Sequence, residues 1–270
     1  MPYSFETYSG KSALTEPDVV SYFEARKKMF ADKFPGSEAA RYYEKYPNDY
    51  DARDNTVFLI FKATDPKTGK DVVTGGRRIV FPLNGQNGTL PFEYGRHRIL
   101  DEERDKANRF QALQQKDMID IGDVIPAKKL PNTIRCAEVG AFAIDQNITD
   151  RLFEKKEYIA MREAVYHISL EVAKSAGADI VVIGAGSGKG DARGNLEHQD
   201  AWLKSFTRPG PDGKPYEHRR LGATRDLFTN PFPKENALEM LIINVSDKYK
   251  LMGPKGLLRF NQEQAQQLRG

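Results

Sequence analysis

Glu138 is the residue of this sequence best suited to chemistry, because it interrupts a run of mostly apolar residues. The run Arg135–Ile144, RCAEVGAFAI, predicts a strand that is buried on both faces of a sheet. A carboxylate buried there is costly unless a cation pairs with it or it is protonated. Pairing with Arg78, on a neighbouring predicted strand, and a pKa raised by burial are therefore two alternatives. A raised pKa would suit a general base near neutral pH. The non-functional alternatives are a structural ion pair and a strand end at which Glu138 is partly exposed.

Gly140 lies two residues after Glu138 and indicates a bulge or a close approach of a ligand to the strand. A bulge at this point would separate the neighbouring strands and free backbone N–H groups. Those groups could bind an extended, amide-bearing ligand by strand-like hydrogen bonds. A glycine that merely permits close packing is the alternative.

The glycine-rich segment Gly184–Gly190, GAGSGKG, has the composition of a phosphate-binding loop but not its spacing. A P-loop has the pattern G-x-x-x-x-G-K followed by Ser or Thr, whose hydroxyl holds Mg²⁺. Here Gly190 follows Lys189, and Ile183 stands where the first glycine is required. The pattern therefore predicts a flexible loop at the carboxyl end of a parallel strand, a place where ligands bind in open α/β sheets.

Two helices and a hairpin are predicted in the N-terminal part of the chain. The first helix spans 15–30, with Thr15 as its cap and Pro17 in its first turn, and ends before Pro35. A second helical stretch follows at 38–44. Two strands follow, Thr56–Phe61 and Val72–Phe81, joined by the turn residues Asp65–Lys70. A charged helix is also predicted at 101–116, within an otherwise irregular stretch.

The central strand Arg135–Ile144 is followed by a predicted helix at 150–176, which Gly177 ends, and by a strand at Asp179–Ile183. This order predicts two parallel strands with a helix packed on the sheet. A further helix is predicted at 195–206. The strands Leu221–Phe228 and Leu238–Val245 are predicted to form a hairpin. We expect one domain over 1–270, with an irregular insertion at about 83–130 and a polar tail at about 247–270 that is a short helix or loose.

The composition excludes several classes of function. The chain of 270 residues has 41 Lys and Arg against 38 Asp and Glu, a net charge of +3, which is small for a dedicated nucleic-acid binder. One cysteine and four histidines argue against a disulfide framework or a metal site, so no metal is expected. No apolar run reaches the roughly 20 residues of a membrane span, and the N-terminus has no signal-peptide pattern. We expect a cytoplasmic protein with neither membrane nor nucleic acid as partner.

Four short motifs and the order of elements resemble a known superfamily, the GNAT-type N-acyltransferases. Within it they are similar to the branch of autoinducer (N-acyl-homoserine lactone) synthases and N-acyl amino acid synthases. The matching segments are Tyr22–Phe30, Asn48–Asp51, Gly75–Pro82 and Cys136–Phe142. Asn48 stands where the family has the first acid of a D-x-x-D loop, and Ala141 stands where it has an arginine. The pyrophosphate loop of CoA-dependent members, Q/R-x-x-G-x-G/A, is not found after the central strand.

The resemblance implies an α/β (α+β) fold of three layers, with a mixed central sheet, helices on both faces and a V-shaped splay between the central strands. It implies transfer of an acyl group from a thioester donor, acyl carrier protein or CoA, to a small amine. S-adenosylmethionine is the amine substrate in the synthases, and no tightly bound cofactor is expected. A donor without a CoA pyrophosphate, such as acyl carrier protein, fits the missing loop better.

The resemblance also implies roles for individual residues. Glu138 is the catalytic residue, accepting the proton of the amine. The amine-substrate pocket is implied at these positions: Arg26, Phe30, Phe34, Asp51 and Arg78. The acyl donor is implied to lie along Phe142, Ala143 and Ile144. Two other functions stay open: a CoA-dependent N-acetyltransferase, and a catalytically inactive GNAT-like domain that binds a ligand or a partner.

Overall fold

The structure is a computed structural model, and it describes part of the chain. The described residues are 3–33, 35, 43–44, 47–48, 50–82, 135–188, 213–225, 236–246, 249–252 and 257–260. The predicted insertion at 83–130, the predicted helix at 195–206 and Phe34 lie outside these residues. Of the predicted helix at 38–44, Tyr43 and Glu44 are described, and both are helical.

Nine strands and three α-helices make up the described elements. The strands are β1 (Tyr3–Ser9), β2 (Thr56–Thr64), β3 (Asp71–Val80), β4 (Cys136–Ile144), β5 (Ile180–Gly188), β6 (Glu217–Arg225), β7 (Asn236–Asn244), β8 (Tyr249–Met252) and β9 (Leu257–Phe260). The helices are α1 (Pro17–Lys33), α2 (Gln146–Leu152) and α3 (Lys155–Ser175), and a 3₁₀ turn, Lys11–Thr15, precedes α1.

A seven-stranded sheet has the strand order β1-β2-β3-β4-β5-β7-β6, and β8 and β9 form a separate pair. Strands β4 and β5 are parallel, with Cys136–Glu138 in register with Ile180–Val182. The pairs β1–β2, β2–β3, β5–β7 and β7–β6 are antiparallel. The sheet is therefore mixed, and the predicted α/β class and the predicted strand–helix–strand unit are confirmed. The splay between β4 and β5 stays a prediction.

The chain divides into two compact units. The first comprises residues 1–80, 139–172 and 228–231, and the second comprises 81–138, 173–227 and 232–270. The single domain expected from the sequence stays a prediction.

The core of the first unit has helices on both faces of its strands, because β2 is apolar on both sides. Phe58 and Ile60 pack toward α1, against Val19, Tyr22 and Phe23. The alternate residues of β2 pack on the other face against α2 and α3; this second cluster includes Leu59, Phe61, Leu152, Met161 and Val165. Each such side chain contributes about 1.5–3 kcal/mol through removal from water. The helices thus hold β2 and β3 as the middle layer of this unit.

Strands β2 and β3 form the predicted hairpin, but an irregularity was not expected. Phe61 pairs with Gly75 and Lys62 with Val73, so Thr74 is the extra residue of a bulge. Its hydroxyl donates to the carbonyl of Phe61 at 3.1 Å. A β-carbon on Gly75 would lie 2.3 Å from the carbonyl oxygen of Ala143, so this glycine allows β3 and β4 to approach closely.

For the N-terminal segment one prediction was wrong and one strand was missed. Thr15 does not cap α1, because it ends the 3₁₀ turn and its hydroxyl donates to the carbonyl of Ser12. The strand β1 was not predicted, although Tyr3, Phe5 and Thr7 alternate with polar residues. Most of β1 is exposed, so its apolar signal is weak, and its antiparallel pairing with β2 determines its structure.

The predicted helix at 150–176 is in fact two helices. The carboxylate of Asp145 accepts from the backbone N–H groups of Asn147 and Ile148, which starts α2 at Gln146. The end of α3 is as predicted, since Gly177 has φ +92° and the N–H of Ala178 donates to the carbonyl of Ala173.

The glycine segment and the C-terminal part also differ from the predictions. Gly184–Gly188 is not a loop but the second half of β5, paired with β7 from Met240 to Asn236. The predicted C-terminal hairpin is confirmed as antiparallel, with bounds at Glu217–Arg225 and Asn236–Asn244. Within the predicted tail, the described residues form two short antiparallel strands, β8 and β9, and not a helix; the rest of the tail lies outside the described residues. Backbone pairing with a neighbouring strand thus decides the structure where local propensity is low.

We predict that Gly75→Ala destabilises the protein by about 3 kcal/mol, because the new β-carbon would overlap backbone atoms of β4 that cannot move alone. Gly69→Ala is the matched control. Gly69 has φ +69°, and a β-carbon added to it would meet nothing within 4 Å. Alanine at this position therefore lowers stability only by the cost of a left-handed backbone, about 1 kcal/mol. Denaturant unfolding measures both, and equal losses for the two variants would contradict the close approach of β3 and β4.

Candidate functional site

Asp51 forms the centre of a buried ion cluster in the first unit. Arg26 binds its carboxylate with both terminal nitrogens, Nη1 to Oδ1 at 3.0 Å and Nη2 to Oδ2 at 2.6 Å. Arg78 Nη1 donates to the same Oδ1 at 2.8 Å. Arg26 and Asp51 are 0% exposed and Arg78 is 3% exposed. Helix α1 and strand β3 therefore each supply one guanidinium to a single carboxylate.

The loop before β2 holds Asp51 in place through Asn48. The side-chain oxygen of Asn48 accepts the backbone N–H groups of Tyr50 and Asp51, each at 3.1 Å, as in an Asx turn. The same oxygen accepts from Arg78 Nη1 at 2.9 Å. The backbone N–H of Asn48 donates to Asp51 Oδ2 at 2.9 Å. Asn48, which replaces the first acid of the synthase motif, is thus part of the cluster.

The charges of the cluster stabilise each other. Burial would raise the pKa of Asp51, but the charges of Arg78 and Arg26 and their hydrogen bonds outweigh burial and lower that pKa to about 2. Burial would likewise lower the pKa of Arg26, but the nearby Tyr22 and Asp51 raise it. Asp51 is therefore a carboxylate, and both arginines are cations, at any pH at which the protein is expected to work.

Three aromatic rings lie around the guanidinium of Arg26. The Arg26 guanidinium carbon lies 5.2 Å from the ring centroid of Tyr22, 4.9 Å from that of Phe23 and 4.8 Å from that of Tyr43. Phe30, which is half-buried, stacks on Tyr43 with the centroids 4.1 Å apart. The predicted pocket residues Arg26 and Phe30 are therefore joined through Tyr43, a residue that the sequence did not single out.

Strand β4 carries the predicted donor residues and an unusual backbone. Ala141 has φ +50°, and its carbonyl accepts a hydrogen bond from the Tyr22 hydroxyl at 2.5 Å. A bulge was one of the alternatives for Gly140; the residue with the irregular backbone is the next one along the chain, Ala141. The side chain of Phe142 packs near Phe61, and Ile144 belongs to the same apolar cluster. A left-handed residue breaks the alternation of a strand, so Glu138 and Phe142 do not follow one regular period of two.

A third buried arginine, Arg77, was missed. It is 1% exposed, and its guanidinium carbon lies 5.3 Å from the ring centroids of both Phe142 and Tyr166. Burial lowers its pKa to about 10. The signal was present, because adjacent residues of a strand point to opposite faces. If Arg78 faces α1, Arg77 has to face α3.

The structure brings Arg26, Asp51 and Arg78 into direct contact, with Phe30 beside them. Phe34 lies outside the described residues. Glu138 is half-buried on β4 in the second unit, in register with Val182 of β5. Its catalytic role and its pairing with Arg78 stay predictions. Cys136, on the same strand, is fully buried and burial raises its pKa to about 12, so it is not poised as a nucleophile.

Two further observations concern ligands and membranes. Among the described residues, no three His, Cys, Asp or Glu side chains come together as a possible metal site. None of the helices in the described ranges is both long enough and apolar enough to cross a membrane.

Comparison with solved structures finds similar folds at low identity. The AHL synthase LasI is 12% identical over 91% of this chain and 92% of its own, with a TM-score of 0.44. FeeM, an N-acyl amino acid synthase from uncultured soil microbes, is 12% identical over 90% of this chain and 92% of its own, with a TM-score of 0.43. An N-acetyltransferase from Staphylococcus aureus Mu50 is 5% identical over 91% and 99%, with a TM-score of 0.40.

No protein-family model matches the chain, and no curated protein sequence matches it. The chemistry of the site is therefore argued from the residues of this chain.

We predict that Asp51→Asn lowers the free energy of unfolding by about 3–5 kcal/mol near neutral pH, because it leaves two buried guanidiniums without their carboxylate. The loss depends on pH. Because the pKa of Asp51 is lowered on folding from 3.8 to about 2, its contribution is complete above its unfolded pKa and disappears as the pH falls through its folded pKa.

Denaturant unfolding of wild type and Asp51→Asn between neutral pH and about pH 2 checks this prediction, and the difference between their free energies of unfolding should shrink in acid. Asp54→Asn is the control, since the side chain of Asp54 is 79% exposed in a surface ion pair with Lys11. A stability difference for Asp51→Asn that is the same at both ends of the pH range would contradict the claim that the ionised carboxylate of Asp51 stabilises the fold.

Proposed function

We propose that this protein is an acyltransferase that moves an acyl group from a thioester donor to a small amine. The observation that carries the proposal is the convergence of Arg26, Asp51 and Arg78. These three residues come from three motifs far apart in the sequence, each similar to a synthase motif, and they meet within hydrogen-bonding distance in one buried cluster. Convergence of separate motifs on one cluster is expected of a site that bears a function and not of unrelated surface turns.

In the proposed reaction the amine nitrogen attacks the thioester carbonyl carbon, an amide bond forms and the carbon–sulfur bond breaks. Glu138, through a water molecule, accepts the proton that the amine loses. The thiolate leaves with a proton and becomes the free thiol of the donor. No oxidant, metal or further co-reactant is needed for the balance.

Strand β4 is proposed to bind the donor. Backbone N–H groups near Phe142, Ala143 and Ile144 would orient the pantetheine arm and stabilise the oxyanion as it forms. One such donor is typically worth about 3 kcal/mol of transition-state stabilisation. The apolar side chains of Phe142 and Ile144 lie in the cluster formed with α2 and α3, an environment in which an acyl chain would be favourable.

The acceptor is proposed to bind beside α1. Both oxygens of Asp51 already accept from arginines, so the role of Asp51 is to hold the two guanidiniums in position. A cationic acceptor, such as S-adenosylmethionine, would be met by the half-buried face of Phe30 and Tyr43 through cation–π attraction. The guanidiniums would attract the acceptor carboxylate. An acyl carrier protein is proposed as the donor in preference to CoA.

We predict that Glu138→Gln lowers kcat about 10²–10⁴-fold, the range for loss of a general base. The assay is mass spectrometry of the amide product after incubation with acyl carrier protein or CoA thioesters, each with S-adenosylmethionine or with other small amines. Glu16→Gln is the control, because Glu16 is exposed and outside the proposed site. Product with CoA alone would favour the N-acetyltransferase alternative. No acylated product with any donor would refute the proposal.

We predict that Phe30→Ala raises KM for the amine about 2- to 30-fold, the cation–π range, and leaves KM for the thioester unchanged. Phe30 is half-buried and stacks on Tyr43, so its removal should act on the acceptor more than on folding. Met29→Ala is the control on the same helix. Met29 packs against the apolar cluster that contains Tyr22 and Phe58, so its removal should act on folding and not on KM for the amine. A rise in KM for the thioester in place of the amine would contradict the assignment of α1 to the acceptor.

A further inference from the structure

The backbone of Ala141 is in a conformation that requires an explanation. It is the one non-glycine residue with positive φ in the described part of the chain, and it lies inside β4. A left-handed backbone is unfavourable for an L-residue with a β-carbon. Such strain persists only where the surroundings impose it, and it is concentrated at functional sites.

The Tyr22 hydroxyl makes a direct hydrogen bond to this residue. It donates to the carbonyl of Ala141 at 2.5 Å, across 119 positions of sequence. Tyr22 is 0% exposed, and burial raises its pKa to about 12, so the hydroxyl keeps its proton. Position 141 is where the synthase motif has an arginine. Ala141 brings no charged side chain, and what it presents to Tyr22 is its backbone.

The ring of Tyr22 is fixed as closely as its hydroxyl. A β-carbon on Gly76 would lie 2.6 Å from the ring carbon Cδ2 and 2.7 Å from Cγ. The ring therefore fills the space that glycine leaves on β3. The ring also lies 5.6 Å from that of Phe23 and 6.4 Å from that of Phe58, centroid to centroid. Because the ring is confined by Gly76, Phe23 and Phe58, its hydroxyl points to the Ala141 carbonyl.

Tyr22 also connects the ion cluster to β4. It precedes Arg26 by four residues, so the two side chains are neighbours on one face of α1, and the guanidinium carbon lies 5.2 Å from the ring centroid. A continuous chain of contacts thus runs from Asp51 through Arg26 and Tyr22 to Ala141. The peptide after Ala141 carries the N–H of Phe142, one of the groups proposed to meet the thioester.

We propose that Tyr22 is a positioning residue: its hydroxyl fixes the left-handed turn at Ala141 and so directs the backbone N–H groups that follow toward the acyl thioester. This inference rests on the proposed function. Tyr22 belongs to α1, beside which the amine is proposed to bind. It would thus set the geometry of β4, along which the thioester is proposed to bind. A donor N–H displaced by about 1 Å can cost roughly 100-fold in rate.

The contact can be observed without any activity. Ala141-Phe142 is the one Ala-Phe step in the sequence, so labelling with carbonyl-¹³C alanine and ¹⁵N phenylalanine gives a single NMR cross-peak for this peptide bond. We expect this peak to shift in Tyr22→Phe and to stay in place in Tyr8→Phe. Tyr8 is the matched control, since its hydroxyl bonds to Glu6 and Asp18 and not to β4. A peak that does not move in Tyr22→Phe overturns the inference.

Kinetics then separate positioning from folding. The assay is run below the temperature at which the circular dichroism signal of the variant changes, so that the variant is folded. There we expect Tyr22→Phe to lower kcat about 10- to 100-fold and to leave KM for the amine unchanged. Adding Ala141→Gly should recover part of kcat, because glycine adopts the left-handed turn without strain. A shifted peak with unchanged kcat overturns the positioning role. If the wild-type protein forms no product, the proposed function is overturned, and with it the positioning role of Tyr22. The NMR peak still reports whether Tyr22 shapes β4.

Discussion

A carboxylate buried between two arginines is the interaction on which the first unit depends. Asp51 joins helix α1 through Arg26, strand β3 through Arg78 and the loop before β2 through Asn48. Buried charges are tolerated only when good geometry and hydrogen bonds offset their desolvation, and the two-pronged contact of Arg26 meets that condition. Because the three charges cannot be separated cheaply, α1 has one register on the sheet. In that register the Tyr22 hydroxyl reaches β4.

Strand β3 joins the two helical layers through four consecutive residues. Gly75 and Gly76 leave space for the Ala143 carbonyl and for the Tyr22 ring. Arg77 and Arg78 follow on opposite faces, Arg78 toward the ion cluster and Arg77 toward Phe142 and Tyr166. Close approach of the backbone and two buried cations are thus combined in one short segment. A substitution anywhere in it would affect both faces of the sheet.

Much of the fold could be predicted from the sequence, because its signals are local. The β2–β3 hairpin followed from its apolar strands and turn residues, and the parallel unit from the order strand, helix, strand. The cluster residues followed from motif resemblance. Other features depend on distant parts of the chain: the pairing that makes Gly184–Gly188 a strand, and the hydrogen bond from Tyr22 to Ala141. Arg77 could have been found, because a pair of arginines in a buried strand must face both sides.

We propose that the acyl donor binds along β4 and that the amine binds beside α1. Hydrogen–deuterium exchange with mass spectrometry tests this directly, using a thioether analogue of acyl-pantetheine and S-adenosylmethionine separately. The account predicts that the analogue slows exchange in the peptide covering 139–144 and that the amine slows exchange in the peptide covering 17–33. Saturating analogue that leaves 139–144 unchanged and protects another part of the chain would contradict it.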